Sequence, residues 1–137
     1  MRSPRQPDPG FTWFVDRSLG RRHVAERLRS AGMPIVAHDE LFPQDAPDEV
    51  WLSRVGSEGW IGLSKDARIR YRESERYQVE SSGVRLFVLV TGNATADEMA
   101  DSFLRAVGRM QQLARDRPPP FIASVTGRGH VQVVWPR

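Results

Sequence analysis

The sequence predicts an α/β protein, a three-layer α/β/α sandwich with a mainly parallel central sheet and a C-terminal β-hairpin. Three observations predict it. Short apolar runs (FTWFV, MPIVAH, WIGLS, VRLFVLV) alternate with amphipathic stretches bearing helix caps, the order expected of strands joined by helical crossovers. VRLFVLV, residues 84–90, is apolar almost throughout, as a central strand buried on both faces must be. FIASV and HVQVVW flank TGRG, which is a hairpin pattern.

The elements follow in chain order. Residues 1–10 are expected to form a disordered tail ahead of a single domain over residues 11–137. FTWFV is a short buried strand ending on Asp16. LGRRHVAERLRSAG sets Leu19, His23, Val24, Arg27, Leu28 and Ala31 at helical spacing, with Gly32 as the stop. MPIVAH is a second strand ended by His38, and LFPQDAP is a loop that leaves Asp39, Glu40 and Asp45 solvated. Pro47-Asp48-Glu49 opens a helix, since a proline and acids suit a first turn. Val50, Trp51 and Val55 lie on or near one of its faces. WIGLS is the next strand and stops at Lys65-Asp66. ARIRYRESERYQVESSG is polar and helical, with Ile69, Tyr77 and Val79 inward. After VRLFVLV, Thr95 and Glu98 form a capping box for a long helix. Its apolar stripe is Met99, Phe103, Val107, Met110 and Leu113. Trp13, Trp51 and Trp60 read as core, and Trp135 as a contact for another subunit in a homodimer.

Composition bounds the chemistry. The chain has 137 residues and no cysteine, which excludes disulfides, thiolate metal sites and thiol nucleophiles. The three histidines, His23, His38 and His130, form no zinc-binding spacing, so any metal would sit on oxygen ligands, as Mg²⁺ or Mn²⁺ does. No apolar run is long enough for a membrane span, and the N-terminus lacks the apolar region of a secretory signal. A cytoplasmic protein without membrane partners is expected. The net charge is +3, and of 20 basic residues only Lys65 is lysine. Arginine suits phosphate and stacks on bases, although a coding bias toward arginine accounts for the same composition.

The acids carry the functional signal. Asp16 follows the first strand, Asp66 follows WIGLS, and Asp48 and Glu49 open the helix that leads into WIGLS. In a parallel sheet these positions share one edge, where side chains from distant segments converge in a crevice. Carboxylates gathered there repel one another unless a hard cation compensates. Such a cluster supports metal-assisted phosphodiester cleavage. Each acid also has a structural reading: Asp16 as a helix cap, Asp48 and Glu49 as complements to a helix dipole, Asp66 as a turn residue. Arg17, Lys65, Arg68 and Arg70 flank the acids as candidate phosphate contacts, with Arg21 and Arg22 on the first helix. His38 reaches the same edge as a proton shuttle or as a hydrogen-bonded structural residue. Ser18, Thr91 and Asn93 reach it as well. No glycine-rich phosphate loop follows the first strand, which leaves a nucleotide-binding α/β enzyme without support.

Strand-Asp16, then Asp48-Glu49-x-Trp-Leu opening a helix, then Gly-Trp-Ile-Gly-Leu-Ser-Lys-Asp66 resembles the PIN-domain superfamily of Mg²⁺-dependent ribonucleases. The resemblance is closest to compact PIN-like proteins grouped with VapC-type toxins, and it spans roughly residues 11–90. It implies a PIN-like fold with Asp16, Asp48 and Asp66 as metal-holding and catalytic acids, Ser64-Lys65-Asp66 standing for the family's Thr/Ser-x-Asp. Glu49 serves with or in place of Asp48. It further implies Mg²⁺ or Mn²⁺, an RNA substrate, and a cognate antitoxin of a bacterial toxin–antitoxin pair. Larger PIN domains carry a further acid on a helix between the first strand and the Asp48-type helix. Here the only acid on that first helix is Glu26, whose spacing places it well down the helix. The alternative is therefore a non-catalytic PIN-like module that binds RNA or protein without a complete metal site.

Overall fold

In a computed structural model, which describes residues 6–65 and 73–136, six strands form one sheet. They are β1 (Trp13–Val15), β2 (Ile35–Ala37), β3 (Ile61–Ser64), β4 (Arg85–Val90), β5 (Phe121–Thr126) and β6 (Val131–Trp135). Their order is β2-β1-β3-β4-β5-β6, parallel throughout except for β6, which returns antiparallel to β5 as the second arm of the hairpin. The chain goes out from β1 to β2, then recrosses to place β3 on the other side of β1. That reversal makes the C-terminal ends of β1 and β3 a topological switch point, where an open α/β sheet leaves a crevice.

Strand alternation builds two cores. In β1, Trp13 and Val15 face helices α1 (His23–Ser30) and α5 (Ala96–Asp116), whereas Phe14 faces α3 (Asp48–Glu58) and α4 (Glu73–Ser82). In β4, Phe87 and Leu89 join the first core, and Leu86 and Val88 the second. Helices on both faces explain why the inner strands carry apolar residues on both sides. The three layers expected from the sequence are present. Thr95 caps α5 as its spacing predicts: its hydroxyl accepts from the Glu98 N–H at 3.1 Å, and Glu98 accepts from the Thr95 N–H at 2.9 Å. Among residues expected in the tail, 1–5 lie outside the described residues. The Asp8 N–H donates to Gln111 Oε1 at 2.6 Å, and the Gln111 amide donates to the Gln6 carbonyl at 3.0 Å.

Five local expectations need correction. The first helix does not begin at Leu19, which belongs to a separate 3₁₀ turn (Arg17–Leu19); Gly20, at φ 93°, breaks the helical path and α1 starts at His23. Glu26 accordingly sits in the first turn of α1 rather than well down it. His38 does not end β2 but opens a short helix, α2 (His38–Leu41), because Glu40 Oε1 accepts the Ala37 N–H at 2.7 Å. Tyr77 is 68% exposed. It stands two residues, about 200° of helix, from the inward Val79, so the two cannot share a face. Val50 is likewise exposed, while Trp51, Leu52 and Val55 face inward. Ile69 lies outside the described residues.

Candidate metal centre at the switch point

Asp16 is the residue immediately after β1, and its N–H bonds the Leu63 carbonyl at 3.0 Å, which extends the β1–β3 ladder by one step. Its side chain is buried, 2% exposed. Ser18 Oγ donates to Asp16 Oδ2 at 2.7 Å and Ser64 Oγ to the same oxygen at 3.1 Å. The Lys65 N–H donates to Ser18 Oγ at 3.0 Å, tying that hydroxyl to the end of β3. Asp16 does not cap the 3₁₀ turn with its side chain. Its other oxygen, Oδ1, is buried and has no hydrogen-bond partner among the described residues. Burial raises the Asp16 pKa above the usual carboxylate value, the Asp48 charge adds to the rise, and the two serines partly offset it.

Asp48 approaches from the first turn of α3. Its Oδ1 accepts Trp51 Nε1–H at 2.9 Å and faces the Arg17 guanidinium at 3.2 Å. Arg17 also donates to the Ala46 carbonyl. No bond falls on Asp48 Oδ2 among the described residues. Each acid thus has one oxygen engaged by protein donors; the other oxygen of Asp16 is buried, whereas the Asp48 side chain is 28% exposed. An orphaned buried carboxylate oxygen is costly, by about 1–3 kcal/mol or more, unless something supplies its partner. A hard divalent cation suits an all-oxygen donor set of this kind. Among the described residues, Asp16 and Asp48 are those that would hold such an ion.

Other sequence candidates fall elsewhere. Glu49 accepts from Gln78 Nε2 at 3.4 Å and lines a groove of about 600 Å³ between α3 and α4 with Glu73 and Tyr77. Asp66, Arg68 and Arg70 lie outside the described residues. Among the described residues no three His, Asp or Glu side chains gather closely enough to hold an ion. Glu26, Arg21 and Arg22 line a separate hollow with Arg29, Asp39 and Glu40. Asp39 and Glu40 are exposed but paired, with Arg21 at 3.7 Å and Arg29 at 2.8 Å. Thr91 and Asn93 line a hollow beside Glu98 and Arg105.

His38 does reach this edge. It is 2% exposed, packs its ring against Phe14 and Phe42, and has no hydrogen-bond partner on either ring nitrogen among the described residues. Burial lowers its pKa below the usual histidine value, against a smaller upward pull from Asp16.

Sequence reasoning missed the Trp51 indole as a partner for Asp48, although their i, i+3 spacing on one helix was the available signal. It also left open what Ser18 and Ser64 do. Their common acceptor lies 48 residues from Ser64 in the chain, and no local spacing announces such a contact.

Comparison with known proteins bears on the fold. The family model described as "PIN like domain" matches residues 12–91, a span that holds β1 through β4 and Asp16, Asp48 and Asp66. A protein of Mycobacterium tuberculosis named "Putative ribonuclease VapC45" is 35% identical over 116 residues, covering 82% of this chain and 83% of that protein. No solved structure matches the chain. No helix among the described residues is long and apolar enough to cross a membrane. Fold, matched span and relative agree: the chain belongs to the PIN-like domain family.

Proposed function

We propose that this protein is a divalent-metal-dependent endoribonuclease and the toxin half of a bacterial toxin–antitoxin pair, with a cognate antitoxin protein as its partner. One observation carries the metal reading: among the described residues the buried Asp16 Oδ1 has no hydrogen-bond partner, and protein donors engage only the Oδ1 of Asp48. The ribonuclease reading rests on the relative's name together with that oxygen-only donor set.

In this reading Asp16, Asp48 and Asp66 hold Mg²⁺ or Mn²⁺. The third is assigned from its position directly after Lys65. The bound ion supplies Lewis acidity toward a phosphate oxygen and toward the attacking water. The chain's own residues do the rest. Ser18 and Ser64 fix Asp16 so that Oδ1 faces the crevice. Arg17 and Lys65 flank the acids and bind the RNA phosphates on either side of the scissile bond, with Arg68 as a further contact. Arg17 keeps the charge of Asp48 balanced until substrate arrives.

The test is cleavage of a single-stranded RNA by wild type and Asp16→Asn, each with Mn²⁺ and with EDTA. Cleavage by wild type in Mn²⁺ alone is expected, with the variant reduced by at least 100-fold. An Asp16→Asn protein as active as wild type removes the site. A second reading, a non-catalytic RNA-binding or protein-interaction module, is supported by Glu26, the one acid on α1, which lines a separate hollow with Arg21, Arg22 and Arg29. RNA binding with no cleavage and no metal dependence would select that module.

A further inference from the structure

We propose that Trp51 is a positioning residue for the metal centre: its indole N–H holds Asp48 so that Oδ2 is presented to the ion, independently of Arg17. The inference rests on the metal reading above. Its basis is a bond of 2.9 Å from Trp51 Nε1 to Asp48 Oδ1, made between residues three apart on the first turn of α3.

The donor is immobile. Trp51 is fully buried, and its ring stacks on Phe14 at 5.4 Å with an interplanar angle of 14°. Phe14 in turn stacks on Trp60 at 6.4 Å and 6°. At the far edge of the indole, Cζ3 lies 3.6 Å from the point a β-carbon on Gly62 would occupy, so the ring rests on bare β3 backbone. An indole clamped between a strand and an aromatic stack has one direction for its N–H, and that direction is Asp48. Among the described residues, the indole and Arg17 are the hydrogen-bond donors to the Asp48 side chain.

The two donors differ in kind. Arg17 is a partly exposed charge on a flexible stem, and its hydrogen bonds can pass to a phosphate. The indole cannot move away. With Trp51 holding Oδ1, Arg17 can turn to substrate without releasing the ligand oxygen opposite. Hydrogen-bond partners behind metal-binding carboxylates commonly set affinity by 10–100-fold.

The experiment is calorimetric titration of Mn²⁺ into the full chain in three forms: wild type, Trp51→Phe, and a protein carrying 3-benzothienylalanine at position 51. In the last, sulfur replaces the N–H in a ring of nearly the same shape, so packing is kept even if Trp51→Phe fails to fold. Metal-free melting temperatures report the fold. The expected result is a Kd weakened at least 10-fold by the benzothienyl protein, with a melting temperature within a few degrees of wild type. A benzothienyl protein that binds Mn²⁺ as wild type does would overturn the positioning role and leave the metal site standing. The same holds if only Trp51→Phe loses affinity, since packing alone would then be responsible. Absence of Mn²⁺ binding by wild type would overturn both readings.

Discussion

Burial, more than any neighbouring charge, sets the electrostatics of Asp16. A carboxyl whose pKa is raised by folding binds protons more tightly in the native state. Its stabilising contribution is therefore complete below the ordinary value of 3.8 and lost as pH rises through the native value. At neutrality the ionised Asp16 costs stability. Metal-free Asp16→Asn should accordingly melt at or above the wild-type temperature at pH 7, with the gap closing toward pH 4. Circular-dichroism melts across that range check it, and a variant clearly less stable at pH 7 contradicts it. His38 carries the opposite sign. Its lowered pKa, caused first by burial and opposed by Asp16, Asp39 and Asp48 but not by Arg17, gives stability that is present above 6.5 and lost as pH falls. His38→Phe, whose ring would pack with Phe14 and Phe42, should flatten the loss of stability below pH 6.5 relative to wild type. The acids were legible in the sequence because strand ends and helix starts are legible. The donors that aim them were not: Ser64 and Trp51 read as strand and core, and only the fold reveals what their polar atoms touch.

At the scale of elements, β1 through β4 and the hairpin were visible as apolar runs, and α5 announced itself by its cap and stripe. The misread segments were those in which one polar contact or one backbone angle overrode the pattern, as at Glu40 capping α2 and at Gly20 before α1. Thr95→Ala should cost about 1 kcal/mol of stability by removing the side-chain half of the capping box, measurable by urea unfolding. Gly56 marks a contact that composition does not disclose. A β-carbon there would lie 1.8 Å from the Ser82 carbonyl oxygen, so α3 and α4 touch backbone to backbone. Gly56→Ala must push the helices apart, at an expected cost of about 1–3 kcal/mol or more. Because α3 carries Asp48 and Trp51, the same change should weaken Mn²⁺ binding as well, whereas Thr95→Ala should leave it intact.

For the whole molecule, the sheet order decides what meets what. Recrossing from β2 to β3 brings residues 16, 18, 64 and 65 together and sets the first turn of α3 beside them. The net charge of +3 is too small to hold RNA by itself, so the proposed binding depends on a few placed cations. Lys65→Gln should lower the slope of log affinity against log salt by about 0.7 for single-stranded RNA. An unchanged slope would remove Lys65 from the phosphate contacts. The central claim, that acids distant in the chain share one cation at the end of β1 and β3, has a direct measurement. It is the anomalous difference map of a crystal of this protein grown with Mn²⁺. The account predicts a peak bonded to Asp16 Oδ1 and Asp48 Oδ2, with the Asp66 carboxylate alongside. A fully occupied peak elsewhere, or none at saturating Mn²⁺ with the crevice open to solvent, would contradict it.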